Sequence, residues 1–293
     1  MLKPWVVLSL VSAFSLATSD ALTKKVITRE NEYVIAWYRI AFVLPVLLAI
    51  LVLSGPMPVI DGYFVAAFLA ALPLELAAII LYYKALRVAP LSLSLPFLSF
   101  TPVFLILMSF VLVRQPVSLA GAAGIALIGL GGYALNLSAL RSGFLEPIRA
   151  IARERGSLAM LAVAFIYSVT SALGKIGVDH SSPVFFGFFY FLALAICMLP
   201  IMIRKTGGKR FFPLLTSSFR IALLPAIFDT AAIVSHFYAI SMTNVAYMIA
   251  VKRSSLLIGT VYGFVLFRER NIRERLIGAG LMFIGFVTVV LGG

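Results

Sequence analysis

Apolar positions along this chain fall in long, nearly unbroken runs separated by short polar breaks. Crossing the hydrocarbon core of a bilayer takes about 20 apolar residues in a helix. On that measure the chain reads as ten spans: 5–24, 33–53, 63–86, 91–113, 117–138, 157–178, 183–203, 219–241, 244–267 and 275–292. Turn-forming residues mark several of the breaks, among them Gly55-Pro56, Pro90, Pro116, Pro183 and Pro213. One longer polar stretch carries Arg141, Glu146, Arg149, Arg153, Glu154 and Arg155 and divides the spans five and five. The expected organisation is all-α, with a first five-span unit over 1–140, a polar connecting loop over 141–156, and a second five-span unit over 157–293.

The two units match by sequence. At an offset of 154, Tyr83-Lys84-Ala85-Leu86 falls on Phe237-Tyr238-Ala239-Ile240, Glu75 on Asp229, and Arg114-Gln115 on Arg268-Glu269. Gly124 and Gly131 fall on Gly278 and Gly285. Near the start of each unit, Ser19 to Lys24 matches Thr170 to Lys175 at an offset of 151. Several identities in order at a nearly constant offset argue for duplication. An odd number of spans per unit turns the second copy upside down, and inverted repeats are a transporter architecture with the substrate site near the midplane.

Composition points the same way. Of 293 residues 62% are hydrophobic and 12% are charged, with a mean hydropathy of +1.09; a soluble domain averages about 25% charged residues. The net charge of +13 does not imply nucleic acid, because the basic residues sit in short loops where anionic lipid headgroups account for them. Loops after spans 1, 3, 5, 7 and 9 hold nearly all of them: Lys25, Arg29, Arg87, Arg141, Arg149, Arg153, Arg155, Arg204, Lys205, Lys209, Arg210, Arg268, Arg270, Arg273 and Arg275. Lys3 and Arg114 lie on the other side. Those odd loops are therefore expected in the cytoplasm of a cell (inner) membrane protein, with both termini outside. The first apolar run lacks a small-residue cleavage site and continues into Asp20 and Lys24, so it reads as a span and not as a signal peptide. A single cysteine, Cys197, excludes disulfides within the chain, and two histidines, His180 and His236, leave no zinc cluster to build. No metal and no cofactor is expected. The sequon Asn136-Leu137-Ser138 ends a hydrophobic run and reads as chance.

Span 9 ends in Leu266-Phe267-Arg268-Glu269-Arg270 and is followed by Gly278 and Gly285; the first unit reads Val113-Arg114-Gln115-Pro116 with Gly124 and Gly131. In these residues the chain resembles the drug/metabolite transporter superfamily, in particular its EamA-like family of ten-span proteins, although Gln115 departs from the usual Glu. The resemblance covers essentially the whole chain. It implies two inverted five-span repeats and a central cavity lined by spans 1–4 and 6–9, with 5 and 10 outside. It does not choose among the amino acids, sugar derivatives and drugs that members of the family carry.

Ionisable groups inside spans cost at least about 2.5–3.5 kcal/mol each on insertion scales, which makes them functional candidates. They are Asp20, Arg39, Glu75, Lys84, Lys175, Asp229, Lys252 and Arg253, with Lys24 at an edge. Glu75 and Asp229 are equivalent under the repeat and fall near mid-span. They are candidates for proton coupling; the plainer reading makes them counter-ions for internal cations. His236, seven residues after Asp229 on nearly the same helix face, is a candidate relay or a packing residue. Adjacent Lys252 and Arg253 point to an anionic group of the substrate held by Lys252, with a structural pairing of Arg253 to a backbone carbonyl end or an acid such as Asp229 as the alternative. Five internal cations against three acids leave a surplus of two positive charges, which favours an anion or zwitterion. Asn244, Tyr247 and Ser255 in span 9, with Tyr83 and Trp37, complete the expected substrate pocket. Pro96 and Pro102 in span 4, which have no proline counterparts in span 9, are candidate hinges.

The chain has no H-E-x-x-H, no P-loop and no nucleophile elbow, so an enzyme is not expected. The expected function is a secondary transporter by alternating access that exports amino acids or related organic anions, with protons as the coupling ion. A lipid flippase or facilitative channel of the same fold is the alternative. Expected partners are a small-molecule substrate and membrane lipids, with the protein a monomer or a homodimer.

Overall fold

The computed structural model describes residues 3–27, 31–88, 95–134, 155–207, 211–267 and 272–292, the side chains of 155, 211–217, 267 and 272–276 excepted. Outside them lie Arg29, Pro90, the start of span 4, the sequon at Asn136, nearly all of the charged connection between the repeats, Lys209, Arg210 and the Arg268-Glu269-Arg270 motif. The described residues form helices without strands. Eight are long and apolar enough to cross a membrane: Pro4–Ile27, Glu32–Leu53, Gly62–Val88, Leu95–Val113, Gly156–Asp179, Pro183–Thr206, Ser218–Ser241 and Val245–Leu266. Two shorter apolar helices, Leu119–Ala134 and Ile277–Gly292, are spans 5 and 10.

Local chemistry sets several of the boundaries. Asn31, Ser182 and Asn244 stand in extended conformation just before spans 2, 7 and 9, and each side-chain oxygen accepts a hydrogen bond from a backbone N–H of the first turn. Pro183 follows Ser182 in the first turn, where no N–H partner is lost. Span 4 ends at Arg114, in left-handed conformation at φ 61°.

The helices pair across the repeats. Span 1 packs along spans 8 and 9, and span 6 packs along spans 3 and 4. Under the repeat these are the same arrangement, since 1, 8 and 9 correspond to 6, 3 and 4. Spans 5 and 10 pair with each other, and spans 2 and 7 do likewise. The result is two three-helix clusters, each drawing helices from both repeats, joined at one end by 5 with 10 and at the other by 2 with 7.

Small residues permit these contacts. A Cβ on Gly124 would sit 2.8 Å from the carbonyl oxygen of Gly285, and one on Gly131 would sit 2.6 Å from that of Gly278. Rising numbers in span 5 meet falling numbers in span 10, so the two run antiparallel. The repeat carries the pair Gly124 with Gly285 onto Gly278 with Gly131, which places the pseudo-twofold axis between them. Spans 1 and 8 are likewise antiparallel: Ser12 donates to the Ala232 carbonyl at 2.8 Å and Ser19 to that of Pro225 at 2.7 Å. Such bonds contribute about 0.6 kcal/mol each in a membrane.

Spans 4 and 9 are both interrupted. Span 4 passes from a tight turn over Leu95–Ser99 to a helix over Phe100–Met108 and then to a wide turn over Ser109–Val113. Span 9 consists of Val245–Lys252 and Ser255–Phe267, with bonds of the i to i+3 kind at the junction, such as Ser254 N–H to Val251 at 3.0 Å. At the offset of 154, Ser99 and Phe100 correspond to Arg253 and Ser254, so both breaks fall at the same place. Pro96 sits in the tight turn, and Pro102 in the first turn of the helix after it. Span 9 breaks without a proline, so the break belongs to the repeat and the prolines reinforce it on one side.

Candidate functional site

Between the two clusters lies a cavity of about 190 Å³. Its wall follows the repeat closely. Leu16, Arg39 and Ile40 line it together with their counterparts Tyr167, Tyr190 and Phe191, at an offset of 151. Glu75, Ile79, Tyr82, Tyr83 and Leu98 line it with Asp229, Ile233, His236, Phe237 and Lys252, at 154. Spans 1–4 and 6–9 all contribute; spans 5 and 10 do not.

The first pole of the site is an ion cluster. Arg39 is 3% exposed and donates through Nη1 to Asp20 Oδ1 and to Thr23 Oγ1, both at 3.1 Å. Through Nη2 it donates to Asp229 Oδ1 at 2.5 Å. Tyr82 donates its hydroxyl to Asp20 Oδ2 at 2.5 Å, and the Arg39 guanidinium lies 5.5 Å from the centre of the Tyr83 ring. One cation thus holds two carboxylates, one from each repeat, and satisfies the condition for burying charge: each ion is paired and hydrogen-bonded. The Nε of Arg39 is the one polar atom of the group that is buried without a partner.

The second pole is less complete. Lys252 Nζ lies 3.3 Å from His236 Nδ1 and has no ion-pair partner among the described residues. Arg253 donates through Nη2 to Thr101 Oγ1 at 2.8 Å, while its Nε is buried without a partner. Glu75 stands within hydrogen-bonding reach of Thr170 and within electrostatic reach of Lys252. The buried hydroxyl of Tyr190 has no partner.

Lys252, Arg253, Glu75, Asp229, His236 and Tyr83 therefore share one cavity. Asn244, Tyr247, Ser255 and Trp37 stand outside its wall. Asn244 is a helix cap, accepting from Ala246 N–H at 2.9 Å and facing the Gln115 and Pro116 carbonyls at 3.4 Å. The Tyr247 hydroxyl binds Ser118 N–H at 2.8 Å and Ser118 Oγ at 3.1 Å, tying span 9 to span 5. Trp37 donates to the Ala195 carbonyl at 3.1 Å, between spans 2 and 7. Ser255 is buried beside the break in span 9. The pairing of Arg253 with Asp229 is replaced by Arg39 with Asp229, because Arg39 and Asp229 meet across the cavity wall while Arg253 turns to span 4.

The expected surplus of positive charge also disappears. Lys175 pairs with Asp179 at 2.8 Å, one helical turn away, and Lys84 is exposed. Arg39, Lys252 and Arg253 then face Asp20, Glu75 and Asp229, three cations against three acids. Sequence reasoning marked Asp20 and Arg39 as internal charges without giving them a place in the site. It passed over Tyr167, Thr170 and Tyr190, which carrying Leu16, Ser19 and Arg39 forward by 151 would have found. Among the described residues no three His, Cys, Asp or Glu come together as a metal site.

A search of curated protein sequences found no match. A solved structure, described as "Crystal structure of protein", superposes with a TM-score of 0.67 over 98% of this chain and 99% of its own, at 16% identity. That similarity shows a shared fold. The model of the EamA-like transporter family matches residues 3–137 and again 154–291, one match for each repeat. The chain is a multi-pass membrane protein of the drug/metabolite transporter type, and it belongs to the EamA-like transporter family.

Proposed function

We propose that this protein is a secondary transporter that exports amino acids or related small organic anions across the cell (inner) membrane by alternating access. The observation that carries the reading is the central cavity, where the Lys252 ammonium lies 3.3 Å from His236 Nδ1 and has no ion-pair partner among the described residues, between clusters built from inverted repeats. A cation drawn away from water without an ion-pair partner is costly by itself and favourable once an anion arrives. Lys252 holds the anionic group of the substrate, Arg253 adds positive potential behind it, and Tyr83 with the facing aromatic residues shapes the apolar remainder of the pocket.

The clusters of spans 1, 8, 9 and 6, 3, 4 tilt against each other about the contacts of 5 with 10 and 2 with 7. The interrupted middles of spans 4 and 9, at Pro96 and Pro102 and at Arg253, act as the hinges. Glu75 and Asp229 carry the coupling proton, with His236, beside Lys252 in the cavity wall, as relay. The termini lie on the non-cytoplasmic side.

Uptake of a labelled panel of amino acids and organic anions into proteoliposomes, with and without an imposed pH gradient, tests this. Saturable accumulation that follows the gradient is the expected result; uptake that only equilibrates ends the proton-coupling part. Lys252→Ala removes a charged hydrogen bond worth about 1.5–3 kcal/mol, or about ten- to a hundredfold in affinity. Unchanged uptake by a folded Lys252→Ala variant would refute the anion site.

A further inference from the structure

The two poles of the cavity are counterparts under the repeat, yet one is filled and the other is open. In the first, the Arg39 guanidinium sits between Asp20 and Asp229 and over the Tyr83 ring. Carried through the repeat, Asp229 becomes Glu75, Asp20 becomes Ser171, Ser19 becomes Thr170, and Arg39 becomes Tyr190. One carboxylate is thus retained, hydroxyls stand at the other three positions, and the guanidinium of Arg39 has no counterpart. Glu75 has no ion-pair partner among the described residues. Tyr190 is 6% exposed, faces the cavity, stands within electrostatic reach of Glu75, and leaves its hydroxyl oxygen without a hydrogen bond.

We infer that Glu75, Thr170, Ser171 and Tyr190 form a subsite for an organic cation, a substrate ammonium that takes the place the Arg39 guanidinium holds in the other repeat. An ammonium carries three N–H donors, and the subsite offers a carboxylate and hydroxyl oxygens to receive them. This rests on the reading of the cavity as the substrate site and narrows its substrate class. With an anion at Lys252 and a cation at Glu75, the favoured ligand is a zwitterion of zero net charge, in keeping with the balance of Arg39, Lys252 and Arg253 against Glu75, Asp229 and the Asp20 behind Arg39. A Glu75 that takes up a proton releases the cation, so binding and coupling are compatible roles for one carboxylate.

Two experiments test it. The first uses L-leucine, 4-methylpentanoate, which lacks the amino group, and 3-methylbutylamine, which lacks the carboxylate, as competing solutes in proteoliposomes. The wild type is expected to prefer leucine to 4-methylpentanoate at least tenfold, and Glu75→Gln to abolish that preference. Tyr190→Phe, which removes only the unpartnered hydroxyl, lowers the preference several-fold without moving the apparent Tm. Lys252→Ala affects leucine and 4-methylpentanoate alike and leaves 3-methylbutylamine untouched, so failure of the anion site is told apart from failure of the cation site. A leucine preference that survives Glu75→Gln overturns the inference.

The second needs no solute. Tyr190→Arg places a guanidinium in the open subsite, and its effect on apparent Tm is measured in the wild-type and Glu75→Gln backgrounds. A change at least 5 °C more favourable with Glu75 present supports the subsite. Equal changes in both backgrounds overturn it, whatever the solutes do.

Discussion

Arg39 is the residue whose removal the structure prices most clearly. It holds Asp20 at 3.1 Å and Asp229 at 2.5 Å, with side-chain exposures of 5% and 12% for the two acids. Arg39→Met keeps the length of the side chain and removes the charge, leaving two buried carboxylates facing the same space. Breaking a buried pair by removing one partner costs about 3–5 kcal/mol. At about 2–4 °C per kcal/mol for a chain of this order of size, the apparent Tm falls by about 6–20 °C. The control is the triple variant Asp20→Asn, Arg39→Met, Asp229→Asn, which removes all three charges at nearly constant volume. Replacing a complete buried ion cluster by neutral groups is close to neutral in stability, so the triple variant regains most of the loss. The assay is thermal unfolding of purified protein in one detergent, followed by intrinsic fluorescence, at one scan rate because membrane proteins unfold irreversibly. A single variant within 2 °C of wild type, or a triple variant as unstable as the single, refutes the argument that Arg39 compensates both acids.

Two further outcomes follow from packing and from pH. Gly124→Ala and Gly285→Ala each place a methyl group within 3 Å of the opposite backbone, at 2.8 and 2.5 Å. Overpacking of this kind costs about 1–3 kcal/mol. Both variants lower the apparent Tm, whereas Gly280→Ala, with nothing within 4 Å, does not; equal effects at all three positions would sink the proposed crossing. At the membrane surface, Asp61 accepts from Phe64 N–H at 3.0 Å and meets His180 Nδ1 at 2.7 Å, joining the start of span 3 to the end of span 6. The Phe64 N–H, with His180 adding to it, holds the Asp61 carboxyl below its usual 3.8. A lowered folded value means that the contact contributes above pH 3.8 and is lost as pH falls below the folded value. The Tm difference between wild type and Asp61→Asn is therefore expected at pH 5–7 and should shrink as pH is lowered further below 3.8; a pH-independent difference would contradict the assignment.

The spans, the duplication and the charges were legible in the sequence because each is a one-dimensional signal. A run of apolar residues needs no partner to be recognised, and neither does a lysine within it. What the sequence withheld was which helix face meets which neighbour. Lys252, Asn244 and Tyr247 share span 9, yet only Lys252 faces the cavity. Asn244 precedes an apolar run, the usual position of a helix cap, and that signal was available. Tyr247 offered none, because its partner Ser118 lies 129 positions away and on the opposite repeat. The meeting of Arg39 with Asp229, 190 positions apart, depends on span 2 packing beside span 8 of the other repeat, which no local pattern encodes. Lys175 counted as an unpaired internal cation although Asp179 stood one turn away, a pairing that helical spacing alone predicts.

The backbone and the side chains of this cavity make opposite statements about symmetry. Breaks in spans 4 and 9 coincide under the repeat, the glycine crossings map onto themselves, and eight pairs of lining positions match. An inverted repeat with identical halves would have inward-open and outward-open states of equal energy, since exchanging the clusters turns one state into the other. The chemistry removes that equality: Arg39 has a tyrosine for its counterpart, and Lys252 a leucine. An ion cluster that fastens span 2 to spans 1 and 8 has no equivalent fastening span 7 to spans 6 and 3. On the proposed alternating-access reading, the state that keeps these ion pairs is the one the empty protein favours. A ligand can shift that balance only by as much as its affinities for the two states differ. On the proposed reading, a substrate that supplies a cation to Glu75 rebuilds in the second repeat the contact that the first makes through Arg39, and this restores the energetic balance on which turnover depends.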